Sequence, residues 1–236
     1  MQLSVIVPNH GRDISQLRKS IPVSKDIEII EVDEGKERSE QRNIGIKRAK
    51  GKYLLILDSD QSVSFNLIEE CLLLASQGYE TLYIPEIILG KSLFAKIRAF
   101  ERCLLTGTAV DVPRFVRRKK CPWFNLTLNG PEDAEWGNRL PEKRAITTSV
   151  LFHHDDISFG DFCRKKAYYS KSMKKYAELW PEDLVLNFKY RCWTIYTERG
   201  KYKHLLRHPI MTLGIIFILI VRGVIYVANR GKKRSE

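Results

Sequence analysis

The sequence predicts an α/β domain with a mainly parallel sheet flanked by helices, followed by an apolar C-terminal helix at a membrane. Three observations support this prediction. Short apolar runs alternate with helical patterns through the first half of the chain, and polar residues follow successive predicted strands. One apolar run near the C-terminus is long enough to reach across a bilayer. The 236 residues, 44% of them hydrophobic, suit one globular domain with an appendage.

Each element of the first half has its own pattern. Strands are predicted for four short aliphatic runs, at residues 3–7, 26–32, 53–57 and 81–84. Helices are predicted where apolar residues recur at helical spacing, in the segment that ends at Ser20 and at residues 39–50 and 65–77. Gly51 is expected to stop the second of these helices. The first apolar run is too short for a signal-peptide core, so we expect a strand there.

The pattern is less regular after residue 90. The predicted elements are a helix at 94–105, an extended segment at 111–117, a polar stretch at 125–140 and a basic aromatic helix at 162–175. Four segments follow from these patterns: a folded domain at 1–180, a basic amphipathic connector at 181–208, a transmembrane or membrane-embedded helix at 209–229 and a basic tail at 230–236. We find no internal repeat and no low-complexity linker.

The positive charge of the chain lies in its second half. Residues 1–110 carry 15 basic and 15 acidic side chains, whereas residues 111–236 carry 25 and 13, which gives the net charge of +12. Such a surface attracts phosphate, nucleic acid or anionic lipid. The five cysteines are an odd number without Cys-x-x-Cys spacing, which indicates a reducing compartment and argues against a disulfide framework.

Two carboxylates end the most informative run, KYLLILDSD at residues 52–60. A buried strand there delivers Asp58 and Asp60 to its carboxyl end, the edge at which open α/β sheets bind ligands. Carboxylates are ligands for Mg²⁺ or Mn²⁺, and the ion in turn can bind a diphosphate. The alternative is an ordinary turn that closes the strand.

A second acidic pair, Glu132 and Asp133, follows Gly130 and Pro131. Proline in a first helical turn with acids behind it is also typical of an ordinary helix N-terminus. In the functional interpretation, one carboxylate acts across a cleft as the general base toward an incoming hydroxyl.

Taken in order, these features resemble the family 2 glycosyltransferases with the GT-A fold, over residues 3 to about 176. The matching pieces are SVIVP at 4–8, VDEG at 32–35, QRNIG at 41–45, LDSD at 57–60, EDAEW at 132–136, then Arg139 and finally His153 and His154. The resemblance implies an inverting enzyme that uses a nucleotide-diphosphate sugar. It also departs in one place, because the family usually has two aspartates where this chain has Asp33 and Glu34.

The resemblance implies a role for each matching position. Pro8, Asn9 and Asp33 are expected to hold the base and ribose, and Arg42 and Asn43 to lie beside the nucleotide. Asp58 and Asp60 are the expected ligands of Mg²⁺ or Mn²⁺, and Asp58 is also expected to contact the nucleotide-sugar donor. Asp133 is the expected general base. His153 or His154 either contacts the metal or phosphate or is structural. The chain lacks the Gln-x-x-Arg-Trp signature of processive synthases, so a non-processive enzyme is expected.

Other functions compete with this interpretation. Basic clusters interleaved with Tyr168, Tyr169 and Tyr176 are compatible with a nucleic-acid or phospholipid binding module. Such a module does not need four carboxylates at strand and loop ends, so we expect no nucleic-acid partner. A metal-dependent nucleotidyltransferase ranks last, because the loop after the first strand has a single glycine. The expected acceptor is lipid-linked or a glycan.

The run at residues 209–228 is uncharged except for Arg222. A central arginine costs about 2.5–3.5 kcal/mol on insertion, while each of about a dozen Ile, Leu, Val and Phe returns about 0.3–0.6 kcal/mol. The summed insertion free energy favours the membrane, so we expect membrane localisation with a single C-terminal anchor and a cytoplasmic catalytic domain. Both flanks of the run are basic, so the distribution of charge gives no clear topology. The alternatives are a re-entrant or interfacial helix and a soluble core helix.

Overall fold

The computed structural model describes residues 1–230 and has a central sheet with helices packed on its two faces. The strands are β1 Leu3–Pro8, β2 Ile27–Val32, β3 Tyr53–Ile56, β4 Gln61–Val63, β5 Thr81–Tyr83, β6 Glu86–Ile88, β7 Phe115–Arg117, β8 Arg144–Ile146 and β9 Leu151–His153. The helices are α1 Ser15–Ser20, α2 Arg38–Arg48, α3 Leu67–Ser76, α4 Leu93–Leu105, α5 Glu132–Asn138, α6 Phe159–Ser170, α7 Met173–Leu179, α8 Ile195–Thr197, α9 Tyr202–Arg207 and α10 Pro209–Arg230.

The six-stranded sheet has the order β2-β1-β3-β7-β5-β8. β1 is parallel to β2 and β3, and β5 is parallel to β8, whereas β7 runs antiparallel to both β3 and β5. The predicted α/β class with a mainly parallel sheet is therefore confirmed, with one reversed strand inside it. A smaller sheet, β4-β9-β6, was not predicted, because its strands have three residues each.

Residues of the central strands alternate between two cores. On one side Val5 and Leu55 pack with Leu17 of α1 and Leu67 of α3. On the other side Ile6, Leu54 and Ile56 pack with Ile46 of α2 and Trp136 of α5. Because both faces are covered, β3 is a continuous apolar run and β1 is apolar except for the buried Ser4 near its start.

The basic aromatic helix predicted at 162–175 is two helices, α6 and α7. The break falls at Lys171 and Ser172, where the Ser172 hydroxyl accepts a hydrogen bond from the backbone N–H of Asn129. This contact ties the break to the loop before α5, a constraint that helical spacing alone does not reveal.

The connector at 181–208 forms short helical pieces, among them a π-helical turn at Tyr190–Thr194 and helices α8 and α9. α10 follows directly and packs against α4 and α6. Its segment Pro209–Asn229 has a mean hydropathy of 2.5, so it is long and apolar enough to cross a membrane. The predicted boundaries of the domain, connector and helix stay predictions, and the tail beyond residue 230 lies outside the described residues.

The Arg222 side chain has a partner. It donates two hydrogen bonds, of 2.6 and 2.8 Å, to the carboxylate of Glu101 on α4, and Glu101 also accepts one of 2.7 Å from the Tyr196 hydroxyl. The positive charge of Arg222, which would be costly in lipid, is therefore neutralised by Glu101, an acid of the folded domain.

Gly51 is not a helix stop, since α2 ends at Arg48 with Ala49 as its cap. A Cβ atom built on Gly51 would lie 2.5 Å from the backbone nitrogen of Ser4 in β1. Glycine is needed there because the chain passes against the backbone of the neighbouring strand on its way into β3.

We predict that Gly51→Ala lowers the free energy of unfolding by about 1–3 kcal/mol, because the added methyl group displaces the backbone of β1. Urea denaturation of the full-length protein in detergent measures it. The control is Gly223→Ala in α10, where a Cβ meets nothing within 4 Å and helix propensity should improve. Equal stability of the two variants would contradict the close-packing explanation.

Candidate functional site

A cleft of about 680 Å³ opens at the carboxyl ends of β1 and β3. One wall consists of the residues that follow these strands and the first turns of α2 and α5; the other wall is α6. The strand-end side chains in it include Pro8, Asp58 and Asp60, and α6 contributes Asp161, Arg164, Lys165, Tyr168 and Tyr169. The topology thus brings the predicted strand-end residues to one edge of the sheet, as expected for an α/β fold.

Asp58 is surrounded by three arginines. Its carboxylate lies 3.2 Å from Arg42, 3.2 Å from Arg114 and 4.0 Å from Arg38. Burial would raise the pKa of Asp58, but the charges of Arg114, Arg42 and Arg38 outweigh it and hold the pKa well below its usual range. The acid therefore remains ionised in a partly buried position.

Asp60 faces His153 and Arg12. One carboxylate oxygen lies 3.2 Å from His153 Nε2, and the other accepts a hydrogen bond of 2.6 Å from Arg12. His153 also contacts Glu86 through Nδ1. Burial opposes the charged imidazole, but the bonds to Asp60 and Glu86 prevail and raise the pKa of His153 to about 9. Of the two candidate histidines, His153 is therefore the one beside the predicted metal ligand.

His154 lies outside this cluster. Its Nε2 is 3.0 Å from both Gln16 and Ser62, beside a smaller cavity of about 320 Å³ that Arg12 and Asp60 also line. These contacts are typical of a structural histidine.

The second acidic pair, Glu132 and Asp133, lies at the start of α5, and each of the two acids contacts a different arginine. Asp133 bonds to Arg42, and Glu132 lies 3.6 Å from Arg38 while accepting a bond from the Gly130 N–H. Glu132 lines the cleft, and burial together with the charge of Asp133 raises its pKa. Asp133 is the more exposed of the two. Arg42 thus joins the predicted base to Asp58.

Four other predicted positions differ in their surroundings. Pro8 lines the cleft at the end of β1. Asn9 is buried and closes its loop through hydrogen bonds with the backbone of Arg12. The Asn43 side chain donates a hydrogen bond to the Phe124 carbonyl and accepts one from the Phe124 N–H. Asp33 is exposed and makes no side-chain hydrogen bond among the described residues. Their nucleotide-binding roles remain predictions.

Two arginines of the site, Arg38 and Arg114, were not predicted from the sequence, whereas Arg12 falls in a loop whose polar residues were predicted to suit a nucleotide. Arg38 had a detectable signal, because it precedes Arg42 by one helical turn on α2 and so shares its face. Arg12 lies in the loop after β1, where a ligand-binding residue is expected in this fold. Arg114 had no local signal; it precedes a three-residue strand, and only the fold brings it to Asp58.

Asp60 offers a carboxylate oxygen, which suits Mg²⁺ or Mn²⁺, and His153 offers an imidazole nitrogen, which a transition-metal ion such as Mn²⁺ accepts more readily than Mg²⁺ does. Among residues 1–230 no group of three or more His, Cys, Asp or Glu side chains is arranged as a metal site. Asp58 is directed at its arginines. These side chains would supply few of the ligands of a bound ion. That is common for Mg²⁺, which usually keeps several waters and binds phosphate oxygens as well.

Comparison with known proteins decides the family. The model of glycosyl transferase family 2 matches residues 4–125, more than half of the chain. The chain belongs to glycosyl transferase family 2. The match contains the strands and acids around Asp58 and Asp60, whereas α5, α6 and α10 of this family 2 protein lie beyond it. Among curated proteins, none matches the sequence.

One solved structure supports the GT-A-like fold of this family 2 protein, and others are similar to it. A fragment of TarS from S. aureus has a TM-score of 0.50 at 15% identity, over 73% of this chain and 65% of that one. Its complex with UDP-GlcNAc has a TM-score of 0.49 at 14% identity, over 73% of this chain and 66% of that one. A197 from STIV has a TM-score of 0.47 at 14% identity, over 66% of this chain and 87% of that one. The chain thus spans less than two thirds of the TarS fragment.

We predict that Arg42→Met lowers the free energy of unfolding by about 3 kcal/mol. Arg42 is 1% exposed, packs its guanidinium on Phe124 and is the shared partner of Asp58 and Asp133, so its loss leaves two carboxylates without this charge. Chemical denaturation at neutral pH measures the change. The matched control is Arg48→Met on the same helix, which removes an exposed pair with Glu34 and should alter stability little. A similar small effect for both variants would contradict the role assigned to Arg42.

Proposed function

We propose that the protein is an inverting, non-processive glycosyltransferase that moves one sugar from a nucleotide-diphosphate donor to an acceptor at the membrane. The observation that carries this proposal is the juxtaposition of Asp60 and His153 with Arg12 in a cleft of about 680 Å³. Ligands for a divalent ion and cations for phosphate oxygens thus meet at the sheet edge where this fold binds nucleotides.

The donor diphosphate is placed between Arg12 and Arg38, both of which line the cleft. Their guanidinium groups suit phosphate oxygens, because Arg presents several N–H donors in a planar fork. Of the three residues predicted to hold the base and ribose, Pro8 lines the cleft, while Asn9 follows β1 and Asp33 follows β2.

Asp60 would hold Mg²⁺ or Mn²⁺ together with His153. Asp58, the other predicted ligand, lines the same cleft beside its arginines. When bound, the ion supplies Lewis-acid stabilisation of the diphosphate leaving group. His153 must lose its proton to become a ligand, so binding of the ion at this position is expected to release protons.

Asp133 is the proposed general base. An acceptor oxygen attacks the anomeric carbon from the face opposite the diphosphate, the C–O bond to the diphosphate breaks, and the proton of the acceptor passes to the carboxylate. Arg42 bridges Asp133 and Asp58, so it holds the proposed base at a fixed position relative to the donor side.

The acceptor is proposed to be lipid-linked or a glycan, and an anionic group on it would suit the α6 wall. Arg164 and Lys165 are exposed on that wall, and Lys165 makes no ion pair within the described residues. We place the catalytic domain in the cytoplasm, where nucleotide sugars are made.

Asp60→Ala is predicted to abolish the Mn²⁺-dependent part of UDP binding while the fold persists, since a strand-end carboxylate supports the ligand more than the core. Calorimetric titration with UDP, with and without Mn²⁺, measures this. Asp26→Ala removes an exposed acid outside the cleft and serves as the matched control. If Asp60→Ala binds UDP like the control in Mn²⁺, the metal assignment is wrong.

Asp133→Asn is predicted to preserve donor affinity and to slow transfer by about 10²- to 10⁴-fold, because only the attack step uses the base. The variant Glu132→Gln at the neighbouring position should lose less transfer activity, since Glu132 already accepts a hydrogen bond from the Gly130 N–H. Transfer rates and UDP affinity are measured for both variants. Loss of donor binding together with turnover would move Asp133 to the donor site, and the larger loss in Glu132→Gln would make Glu132 the base.

The donor itself is identified by a screen of UDP-, GDP- and dTDP-sugars with purified protein, read out as nucleotide release. The same preparation distinguishes the competing class. Salt-sensitive binding of oligonucleotides without affinity for any nucleotide diphosphate would favour a binding module and reject the proposed enzyme.

A further inference from the structure

We propose that the protein attaches to the membrane in the plane of the bilayer surface, through the outer face of α10 and apolar side chains of the connector, without crossing the bilayer. This inference concerns the geometry of attachment and does not depend on the reaction. It rests on how α10 is fastened to the folded domain, on what its two faces carry and on the surface of the preceding connector.

α10 has an outer face that carries a row of exposed apolar side chains. The side chains exposed along it recur every three or four residues, so they form one stripe on the helix: Ile210, Leu213, Phe217, Ile220, Val224 and Val227. An exposed apolar stripe of this length is not stable against water, and lipid is the occupant that an uncharged surface of aliphatic side chains favours.

The opposite face of α10 is fastened to the domain over nearly its whole length. Near its start Gly214 lies so close to Ile97 of α4 that a Cβ atom would come within 2.5 Å of that side chain. In its middle Arg222 pairs with Glu101 of α4. At its end the Asn229 amide donates a bond of 2.8 Å to Ser170 of α6.

A helix that spans the bilayer in this arrangement would carry α6 into the hydrocarbon. α6 runs beside α10, with contacts from Phe159 at one end to Ser170 at the other, and its far side carries Arg164 and Lys165 into the cleft. Charges at that depth are costly. Separating α10 from the domain instead would leave Glu101, which is 3% exposed, without its cationic partner. Both penalties vanish when α10 lies along the surface.

The connector that precedes α10 also exposes apolar side chains. Phe188, Trp193 and Leu206 are 80%, 65% and 77% exposed, and exposed lysines and arginines lie between them in sequence. α9 leads directly into α10, where the Thr212 hydroxyl bonds to the carbonyl of Leu205. Aromatic and basic side chains together are typical of the headgroup region of an anionic bilayer, which identifies the occupant as lipid rather than a protein partner.

The test is the side on which the C-terminus lies. Full-length protein carrying different epitope tags at its two ends is bound to sealed vesicles of phosphatidylcholine and phosphatidylglycerol, recovered by flotation and treated with protease from outside. We expect both tags to be cleaved. A C-terminal tag that is protected until detergent is added, while the N-terminal tag is cleaved, shows a spanning helix and overturns the proposal. Failure of the protein to float with the vesicles overturns it too.

The connector is tested through its tryptophan. In vesicles with brominated acyl chains, we expect quenching of the full-length protein's fluorescence, and we expect Trp193→Phe to remove most of the quenched signal. Trp123→Phe is the matched control, because Trp123 is 54% exposed on a loop far from α9 in sequence. Quenching that persists in Trp193→Phe and disappears in Trp123→Phe would place the bilayer on the wrong surface, as would the absence of quenching in the wild-type protein.

Discussion

The site depends on the three arginines around Asp58. Carboxylates at the edge of a sheet repel one another. A group of acids such as Asp58, Asp60 and Glu132 in the cleft, with Asp133 beside them, is stable only if cations lie between them. Arg42 joins Asp58 to Asp133, Arg38 lies between Asp58 and Glu132, and Arg114 connects Asp58 to Glu86. The same contacts tie α2, α5 and the segment before β7 to the end of β3, so the charge network organises the cleft as well as neutralising it.

The acids of this site were predictable from the sequence, and most of its cations were not. Asp58 and Asp60 follow an apolar strand, and in a parallel sheet the topology alone delivers such residues to the ligand-binding edge. The arginines reach the edge from α2 and from the segment before β7, and Arg114 is 56 residues from its partner in sequence. No local periodicity encodes such a contact. The extended segment predicted at 111–117 contains the strand β7, but its antiparallel direction was not predicted, because three residues carry no signal of strand direction.

Arg222 shows the limit of hydropathy arguments. The sequence presents it as an isolated charge in an apolar run, to be set against the insertion energies of the neighbouring aliphatic residues. The fold presents it as one half of an ion pair with Glu101, itself bonded to Tyr196. Length and composition establish that α10 is able to reach across a bilayer. Length and composition do not reveal that one face of the helix already contacts the folded domain, because Glu101, the partner of Arg222, lies more than 100 residues earlier in the chain.

α6 links the two surfaces of the molecule. One side of it lines the cleft with Arg164 and Lys165, and the other contacts α10. α6 therefore lies between the cleft and α10, whose outer face carries the apolar stripe that we assign to lipid. If that assignment holds, an acceptor anchored in the bilayer has only to pass around α6 to present a polar head to the cleft, and the basic side chains there meet it on entry. Arg12, where we propose that the donor diphosphate binds, belongs to the wall of the cleft across from α6. The proposed donor and acceptor groups would therefore contact different walls of the same cleft.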